Sequence, residues 1–239
     1  MKNKTIFVAC DTSNLEKIKK IVLQAKTSEF EIIPKFGLQF FYSKRGRKFL
    51  EKIRNDFWLD LKINDIPQTA LSAVDSLKDL KRCKYITVHA NGGLQMLRAL
   101  KKKTKKINKD LKVLGVTILT SLNNKSLKEM GYTKNVKQLV LKQAALIKKS
   151  GCDGIVCSAQ EALMVHKRYK DLLIITPGIR LPGDSSNDQM RIMTPKQAFK
   201  NKVSGIVIGR SLTEGSIKNN IKKLAHHLNR WSKVVRFVV

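Results

Sequence analysis

Short strand-like runs alternate with longer helical patterns along the whole chain, and this repeat constrains the fold more than any other feature. Most of the runs are continuously apolar, as is typical of parallel strands buried on both faces. The predicted strands are residues 5–10, 31–36, 57–62, 85–89, 111–119, 154–157, 172–176 and 205–208. The helical stretches that follow them cover residues 14–26, 43–54, 67–80, 92–107, 134–149, 159–168, 194–201 and 214–229. Eight β-then-α units predict an α/β fold, a single (β/α)8 barrel.

We expect one catalytic domain over residues 1–239, with residues 231–239 as a C-terminal tail outside the repeat. A doubly wound open sheet is the competing fold, but it usually carries a glycine-rich first turn. The first predicted turn reads Cys10-Asp11-Thr12-Ser13 instead, and the sequence has no GxGxxG or GxxxxGK[ST] motif. Inside the second predicted strand, Pro34 is expected to mark a bulge, because proline cannot donate to the strand ladder.

The chain is strongly basic, with 48 Lys and Arg against 18 Asp and Glu and a net charge of +30. Such a balance raises the possibility of a nucleic-acid-binding protein. The lysines, however, occupy polar positions on nearly every predicted helix rather than one stripe, and we find no nucleic-acid-binding motif. We therefore interpret them as a solvated basic surface that attracts anionic substrates, and expect no specific nucleic-acid partner.

No apolar run approaches the roughly 20 residues that cross a bilayer. The apolar run after the basic N-terminus, residues 6–10, is too short for the core of a signal peptide. The cysteines lack the spacing of a zinc site and suit buried, reduced thiols: Cys10, Cys83, Cys152 and Cys157. These features predict a cytoplasmic protein with no membrane contact and no metal site.

Charged residues cluster where the predicted strands end, which in a barrel is the mouth that holds the active site. Asp60 and Lys62 are two residues apart in an apolar strand, so both are expected to point toward the barrel axis. Lys35, Asp11 and Asp65 fall on the same rim. Because buried charges are costly unless they are paired, two lysines among three carboxylates indicate a tuned charge network.

The seventh and eighth predicted strands lead into sequences that suit a phosphate group, as the loops after these strands often do in barrels. One loop reads Pro177-Gly178-Ile179-Arg180, and the other reads Gly209-Arg210-Ser211, just before the predicted start of a helix. Backbone N–H groups and forked guanidinium groups are the donors that phosphate prefers. The polar segment between them, residues 181–190, has the length of an active-site lid.

An ordered series of motifs resembles the orotidine 5′-phosphate decarboxylase family. The longest motif is DLKINDIPQT at residues 60–69. The others are VHA at 88–90, GVTILTS at 115–121, DGIVCSA at 153–159, TPGIR at 176–180, DQ at 188–189 and GR at 209–210. The chain departs from the family at Asn64, where His is usual, and at Gln68, where Asn is usual. Neither position carries a charge of the network.

The resemblance implies a homodimeric (β/α)8 enzyme that converts orotidine 5′-phosphate to UMP and CO2, the last step of de novo pyrimidine synthesis, without a metal or organic cofactor. It implies that Lys62 donates the proton to C6 of the pyrimidine. Asp60 would lie against the substrate carboxylate and hold Lys62 in place, while Lys35 would join the network and touch the ribose. Asp65 and Thr69 would reach into the partner subunit's site.

The resemblance also implies a set of substrate contacts. Asp11 would bind a ribose hydroxyl, and Thr120 would contact the edge of the pyrimidine. Gln189 would bridge the phosphate and the base from the lid. The residues expected to bind the phosphate end are Pro177, Arg180, Gly209 and Arg210.

Two alternatives remain open. One is a metal-dependent sugar-phosphate lyase similar to 3-keto-L-gulonate 6-phosphate decarboxylase, which shares the Asp-x-Lys-x-x-Asp pattern on a similar barrel. The continuation over residues 66–69 and the presence of Gln189 favour the pyrimidine enzyme. The other alternative is a basic nucleic-acid-binding protein, for which tight and steeply salt-dependent binding would be expected.

Overall fold

A computed structural model describes residues 4–183 and 193–235 of the chain. Eight parallel strands pair in sequence order, and the last closes onto the first to form a barrel. The strands are β1 (Thr5–Ala9), β2 (Glu31–Gly37), β3 (Phe57–Ile63), β4 (Cys83–His89), β5 (Lys112–Val116), β6 (Gly154–Val156), β7 (Leu173–Thr176) and β8 (Gly205–Ile208). The predicted (β/α)8 architecture is confirmed.

Helices connect successive strands. Within the described ranges they are α1 (Leu15–Gln24), α2 (Leu38–Phe41), α3 (Gly46–Lys52), α4 (Pro67–Asp75), α5 (Gly93–Ile107), α6 (Asn124–Glu129), α7 (Val136–Ser150), α8 (Ala159–Arg168), α9 (Pro195–Lys200), α10 (Arg210–Thr213) and α11 (Ile217–Val235). Helices α2, α6 and α10 were not predicted, because pieces of four to six residues are too short to show a helical period. No helix among the described residues is long and apolar enough to cross a membrane.

Local sequence explains where several helices begin and end. The Asn14 side chain accepts a hydrogen bond from a first-turn backbone N–H of α1, and Asn135 with Gln138 forms a reciprocal capping box on α7. Pro67 occupies the first turn of α4, where a missing N–H costs nothing. Gly151 ends α7 in the left-handed conformation, with φ of 80°.

The hydrophobic core has two layers. An outer layer packs between the strands and the helices. An inner layer fills the barrel axis with Phe7, Ala9, Ile33, Trp58, Tyr85, Leu114, Val116, Val156, Ile175 and Val207. In this inner layer, Phe7 meets Trp58 and Tyr85 edge-on, with ring centroids 4.8 and 5.2 Å apart. Because side chains fill the lower barrel, open space remains at the carboxyl ends of the strands.

A bulge interrupts β3 near its carboxyl end. Leu59 pairs with Ile86 of β4, but the next pair along the strand is Ile63 with Val88. The intervening residues of β3 therefore face a single residue of β4. Within this bulge, the backbone of Lys62 has a φ of 51°, in the left-handed region that residues other than glycine seldom adopt.

Two sequence-based expectations need correction. The bulge predicted at Pro34 is wrong, because Pro34 lies opposite Val8 in unbroken register with β1. The last helix continues to Val235, so residues 231–235 extend the eighth unit instead of starting a tail. No Gly or Pro occurs between residues 217 and 235 to end that helix earlier. Residues 236–239 lie outside the described part of the chain.

Candidate active site

A cavity of about 560 Å³ opens at the carboxyl end of the barrel. The apolar residues Trp58, Val116, Val156 and Val207 form part of its lining. Most of the predicted site residues also line it: Asp11, Lys35, Asp60, Lys62, Thr120, Pro177, Arg180, Gly209 and Arg210. The structure therefore brings together residues from six different strand ends, as a barrel mouth requires.

Four charged side chains form an alternating row along one side of the cavity. The Lys35 Nζ lies 3.2 Å from Asp11 Oδ1 and 3.2 Å from Asp60 Oδ2. The Lys62 Nζ lies 2.9 Å from the same Asp60 Oδ2. The order is thus carboxylate, ammonium, carboxylate, ammonium, with Lys62 at one end. Each inner charge is held between two charges of opposite sign.

The middle of this row is buried and its ends are open. The side chains of Lys35 and Asp60 are 8% and 10% exposed, whereas those of Lys62 and Asp11 are 35% and 61% exposed. Burial alone would lower the pKa of Lys35, but the carboxylates of Asp60 and Asp11 reverse this effect and raise it. Burial would raise the pKa of Asp60, but Lys35 and Lys62 reverse the effect and lower it. Both buried groups therefore stay charged at neutral pH.

Thr87 of β4 completes the surroundings of Asp60. Its hydroxyl donates a hydrogen bond of 2.8 Å to Asp60 Oδ1 and accepts one of 2.9 Å from the Lys62 backbone N–H. Thr87 is fully buried. Thr87 is not among the site residues predicted from the sequence. Its position two residues before His89, on the face of β4 that points inward, was the available signal.

Asp65 and Thr69 lie on and just after the loop between β3 and α4, and they are absent from the described lining of the cavity. Both are exposed to solvent. The Asp65 carboxylate accepts a hydrogen bond of 2.7 Å from the Ile66 N–H. Ile66 itself is 66% exposed, which is high for an isoleucine. These two predicted site residues therefore do not reach the cavity of their own chain.

Another part of the cavity wall is built from the loops after β7 and β8. Gly178, with φ of 76°, allows the chain to turn back from β7 toward Arg180. The guanidinium of Arg180 is buried, with the residue only 8% exposed, and one Nη donates to the Ile179 carbonyl at 3.2 Å. Its Nε has no hydrogen-bond partner among the described residues. A buried, incompletely paired guanidinium that faces a cavity favours an anionic ligand.

Several residues that line the cavity were not predicted from the sequence. Trp58 lies two residues before Asp60, so the strand period alone could have placed it on the wall. Thr12, Lys17 and Glu214 also line the cavity, but they come from loops and from a helix, whose inward residues the strand pattern does not reveal. The predicted Gln189 and most of the predicted lid lie outside the described residues.

The cysteines and the side chains that could bind a metal give no sign of a second reactive site among the described residues. All four cysteines are buried and none forms a disulfide, as expected, and burial raises the pKa of Cys10 and Cys83 to about 12. Such thiols are poor nucleophiles. In residues 4–183 and 193–235 no group of three His, Cys, Asp or Glu side chains converges in a way that could hold a metal ion.

Comparison with known proteins agrees with this geometry. Residues 4–221 match the model of the orotidine 5′-phosphate decarboxylase / HUMPS family. The chain is 41% identical over 223 residues to orotidine 5′-phosphate decarboxylase of Buchnera aphidicola subsp. Schizaphis graminum, and the aligned region covers 92% of each of the two chains. It is 37% identical over 212 residues to that of Erythrobacter litoralis, covering 87% of this chain and 92% of the relative. The crystal structure of the enzyme from Lactobacillus acidophilus matches with a TM-score of 0.81 and 31% identity, over 94% of this chain and 99% of that one.

Proposed function

The chain belongs to the orotidine 5′-phosphate decarboxylase / HUMPS family, and from this we propose how its cavity works as an orotidine 5′-phosphate decarboxylase. The reaction is that of a carboxy-lyase, which releases CO2 and leaves UMP. The substrate carries a carboxylate on its ring and a phosphate at its far end. The observation that carries the proposal is the charge row of Asp11, Lys35, Asp60 and Lys62, with buried Arg180 on the wall of the same cavity.

The chemical problem is an unstable carbanion. When the bond from C6 to the carboxylate breaks, the electron pair stays at C6 in the plane of the ring, where the π system cannot delocalise it. Stabilisation must therefore come from positive charge that is already in place. Lys62 lies at an end of the row, partly open to the cavity, so its ammonium can face C6. It supplies both the cation and the proton that replaces CO2.

Asp60 prepares Lys62 for this role. Its carboxylate holds the Lys62 ammonium at 2.9 Å, and its lowered pKa prevents it from taking the proton that C6 needs. In the proposed complex, the substrate carboxylate lies close to Asp60, and repulsion between the two is relieved when CO2 leaves. The ammonium of Lys35 offsets part of the negative charge that the Asp60 and substrate carboxylates bring together. With Asp11, it also contacts the ribose.

The far end of the cavity binds the phosphate. We assign it to Arg180 and Arg210, with Pro177 and Gly209 of the same loops, while Thr120 contacts the pyrimidine edge. Gln189, outside the described residues, completes the proposal from the lid. Binding energy from the phosphate, remote from C6, would then be used to hold the ring against Lys62.

We further propose that the enzyme is a homodimer of single-domain chains that works in the cytoplasm, with Asp65 and Thr69 each completing the partner's site. Support comes from their exposure and from their absence from the described wall of their own cavity. Exposed Ile66 beside them, and Leu38 and Tyr42 after β2, add apolar surface at this end of the barrel. A dimer that covers this face would extend the charge row with a third carboxylate.

The direct test is the consumption of orotidine 5′-phosphate by the purified chain, followed by ultraviolet absorbance and by chromatography of UMP. We expect equal amounts of substrate lost and UMP formed, at a rate that EDTA does not change. No consumption would refute the function. Loss of activity in EDTA, or turnover of a sugar phosphate instead, would favour a metal-dependent lyase. Tight DNA or RNA binding at physiological salt would favour the nucleic-acid alternative, and we expect weak binding.

A further inference from the structure

We propose that Thr87 is a positioning residue for the decarboxylation, because one hydroxyl fixes both the carboxylate of Asp60 and the backbone of Lys62. The inference rests on the proposed function of the cavity. Thr87 does not line the cavity among the described residues, so it acts through its two neighbours and not on the substrate. It is fully buried in β4, one residue after the partner of Leu59.

The first contact of Thr87 fixes the rotation of the Asp60 carboxylate. Both lysines use the same oxygen, since Lys35 Nζ at 3.2 Å and Lys62 Nζ at 2.9 Å each contact Oδ2. The other oxygen, Oδ1, accepts the Thr87 hydroxyl at 2.8 Å. A carboxylate with a free Oδ1 could turn about its terminal torsion, which has no sharp energy wells. The hydroxyl removes that freedom, so Oδ2 stays between the two ammonium groups.

The second contact of Thr87 fixes the backbone of Lys62. This residue lies in the bulge of β3, where the regular ladder to β4 is lost between the Leu59 and Ile63 pairs. Its φ of 51° is unfavourable for a lysine and persists only if neighbouring groups hold it. The Lys62 N–H donates to the Thr87 hydroxyl at 2.9 Å, so a side chain replaces the missing backbone acceptor.

These two contacts meet on one oxygen atom. The hydroxyl donates a hydrogen bond to Asp60 and accepts one from the Lys62 amide, which uses one donor and one acceptor site of a threonine. It therefore links the Asp60 carboxylate to the Lys62 main chain across two residues of β3. A shift of either contact would change the direction in which the Lys62 ammonium points, and reacting groups tolerate little displacement.

Thr87→Val tests this inference, because valine keeps the shape of threonine and removes the hydroxyl. We expect kcat to fall by roughly 10- to 100-fold, the effect of a small misplacement of reacting groups, while KM changes little. Thr87→Ser keeps the hydroxyl and should restore most of the wild-type kcat. If the valine variant does not fold, the comparison of Thr87→Ser with Thr87→Ala isolates the same oxygen atom.

The matched control is Thr104→Val on α5. Thr104 is also fully buried, and its hydroxyl donates to the Lys101 carbonyl of the same helix at 3.0 Å. This variant should lose stability without losing kcat. The inference is overturned if Thr87→Val turns over substrate at the wild-type kcat, or if Thr87→Ser is as slow as Thr87→Val. A wild-type chain that does not consume orotidine 5′-phosphate would instead refute the proposed function on which the inference rests.

Discussion

Two carboxylates contact the same lysine at the same distance, and they should differ greatly in what they contribute to folding. Asp60 and Asp11 each lie 3.2 Å from Lys35 Nζ, but their side chains are 10% and 61% exposed. Removing one partner of a buried pair leaves a charge without compensation and costs about 3–5 kcal/mol. An exposed pair contributes only about 0.2–1 kcal/mol. Because Lys35 still has Asp11 as a partner when the Asp60 carboxylate is removed, we expect Asp60→Asn to lower the free energy of unfolding by about 3 kcal/mol.

The assay is urea unfolding of wild type, Asp60→Asn and Asp11→Asn at neutral pH and at one protein concentration, because the proposed dimer would make stability depend on concentration. We expect the free energy of unfolding to fall more in Asp60→Asn than in Asp11→Asn, where the decrease should be less than about 1 kcal/mol. The reasoning is refuted if both variants have the same free energy of unfolding, or if Asp60→Asn is more stable than wild type. That last result would mean that the buried row is a net cost to folding, retained for catalysis.

Two further predictions concern the same row. Lys62→Ala should lower kcat by more than about 100-fold, because the proposed proton donor and cation are both lost. Its free energy of unfolding in urea should stay within about 1 kcal/mol of wild type, since Lys62 is partly exposed. Turnover near the wild-type rate would end the assignment of Lys62 as proton donor. The pKa of Asp60 in the folded chain lies below the ordinary Asp pKa of 3.8. Its ion pairs therefore contribute fully to stability at pH values above 3.8, and this contribution is lost as the pH falls from 3.8 through the lower pKa of the folded state. The stability gap between wild type and Asp60→Asn should therefore shrink between neutral pH and about pH 3, and a gap that stays constant would contradict the paired state of Asp60.

Much of the site follows from local rules. The alternation of strands and helices gives the barrel, and the strand period of two places Asp60 and Lys62 on the same side as Trp58. The carboxyl ends of parallel strands must share one rim, so Asp11 and Arg180 meet at the same cavity although they are far apart in sequence.

The parts that the sequence did not predict depend on register between strands. The bulge in β3 arises from how Leu59 and Ile63 pair with β4, and no residue type within β3 predicts it. Pro34 carried the expected signal for a bulge and has none in its pairing with β1. Thr87 matters only because the bulge brings it opposite the Lys62 amide, so its role could not be read before the register was known.

The most direct test of a site shared between two subunits is complementation between two inactive variants. Lys62→Ala and Asp65→Ala subunits, each inactive as homodimers, are mixed under conditions that exchange subunits, and orotidine 5′-phosphate consumption is measured. In the mixed dimer one site has its own Lys62 and the partner chain's intact Asp65. Equal mixing makes about half of the dimers mixed, each with one complete site of two, so about a quarter of wild-type activity should return. No recovery in a sample with proven mixed dimers would contradict the account.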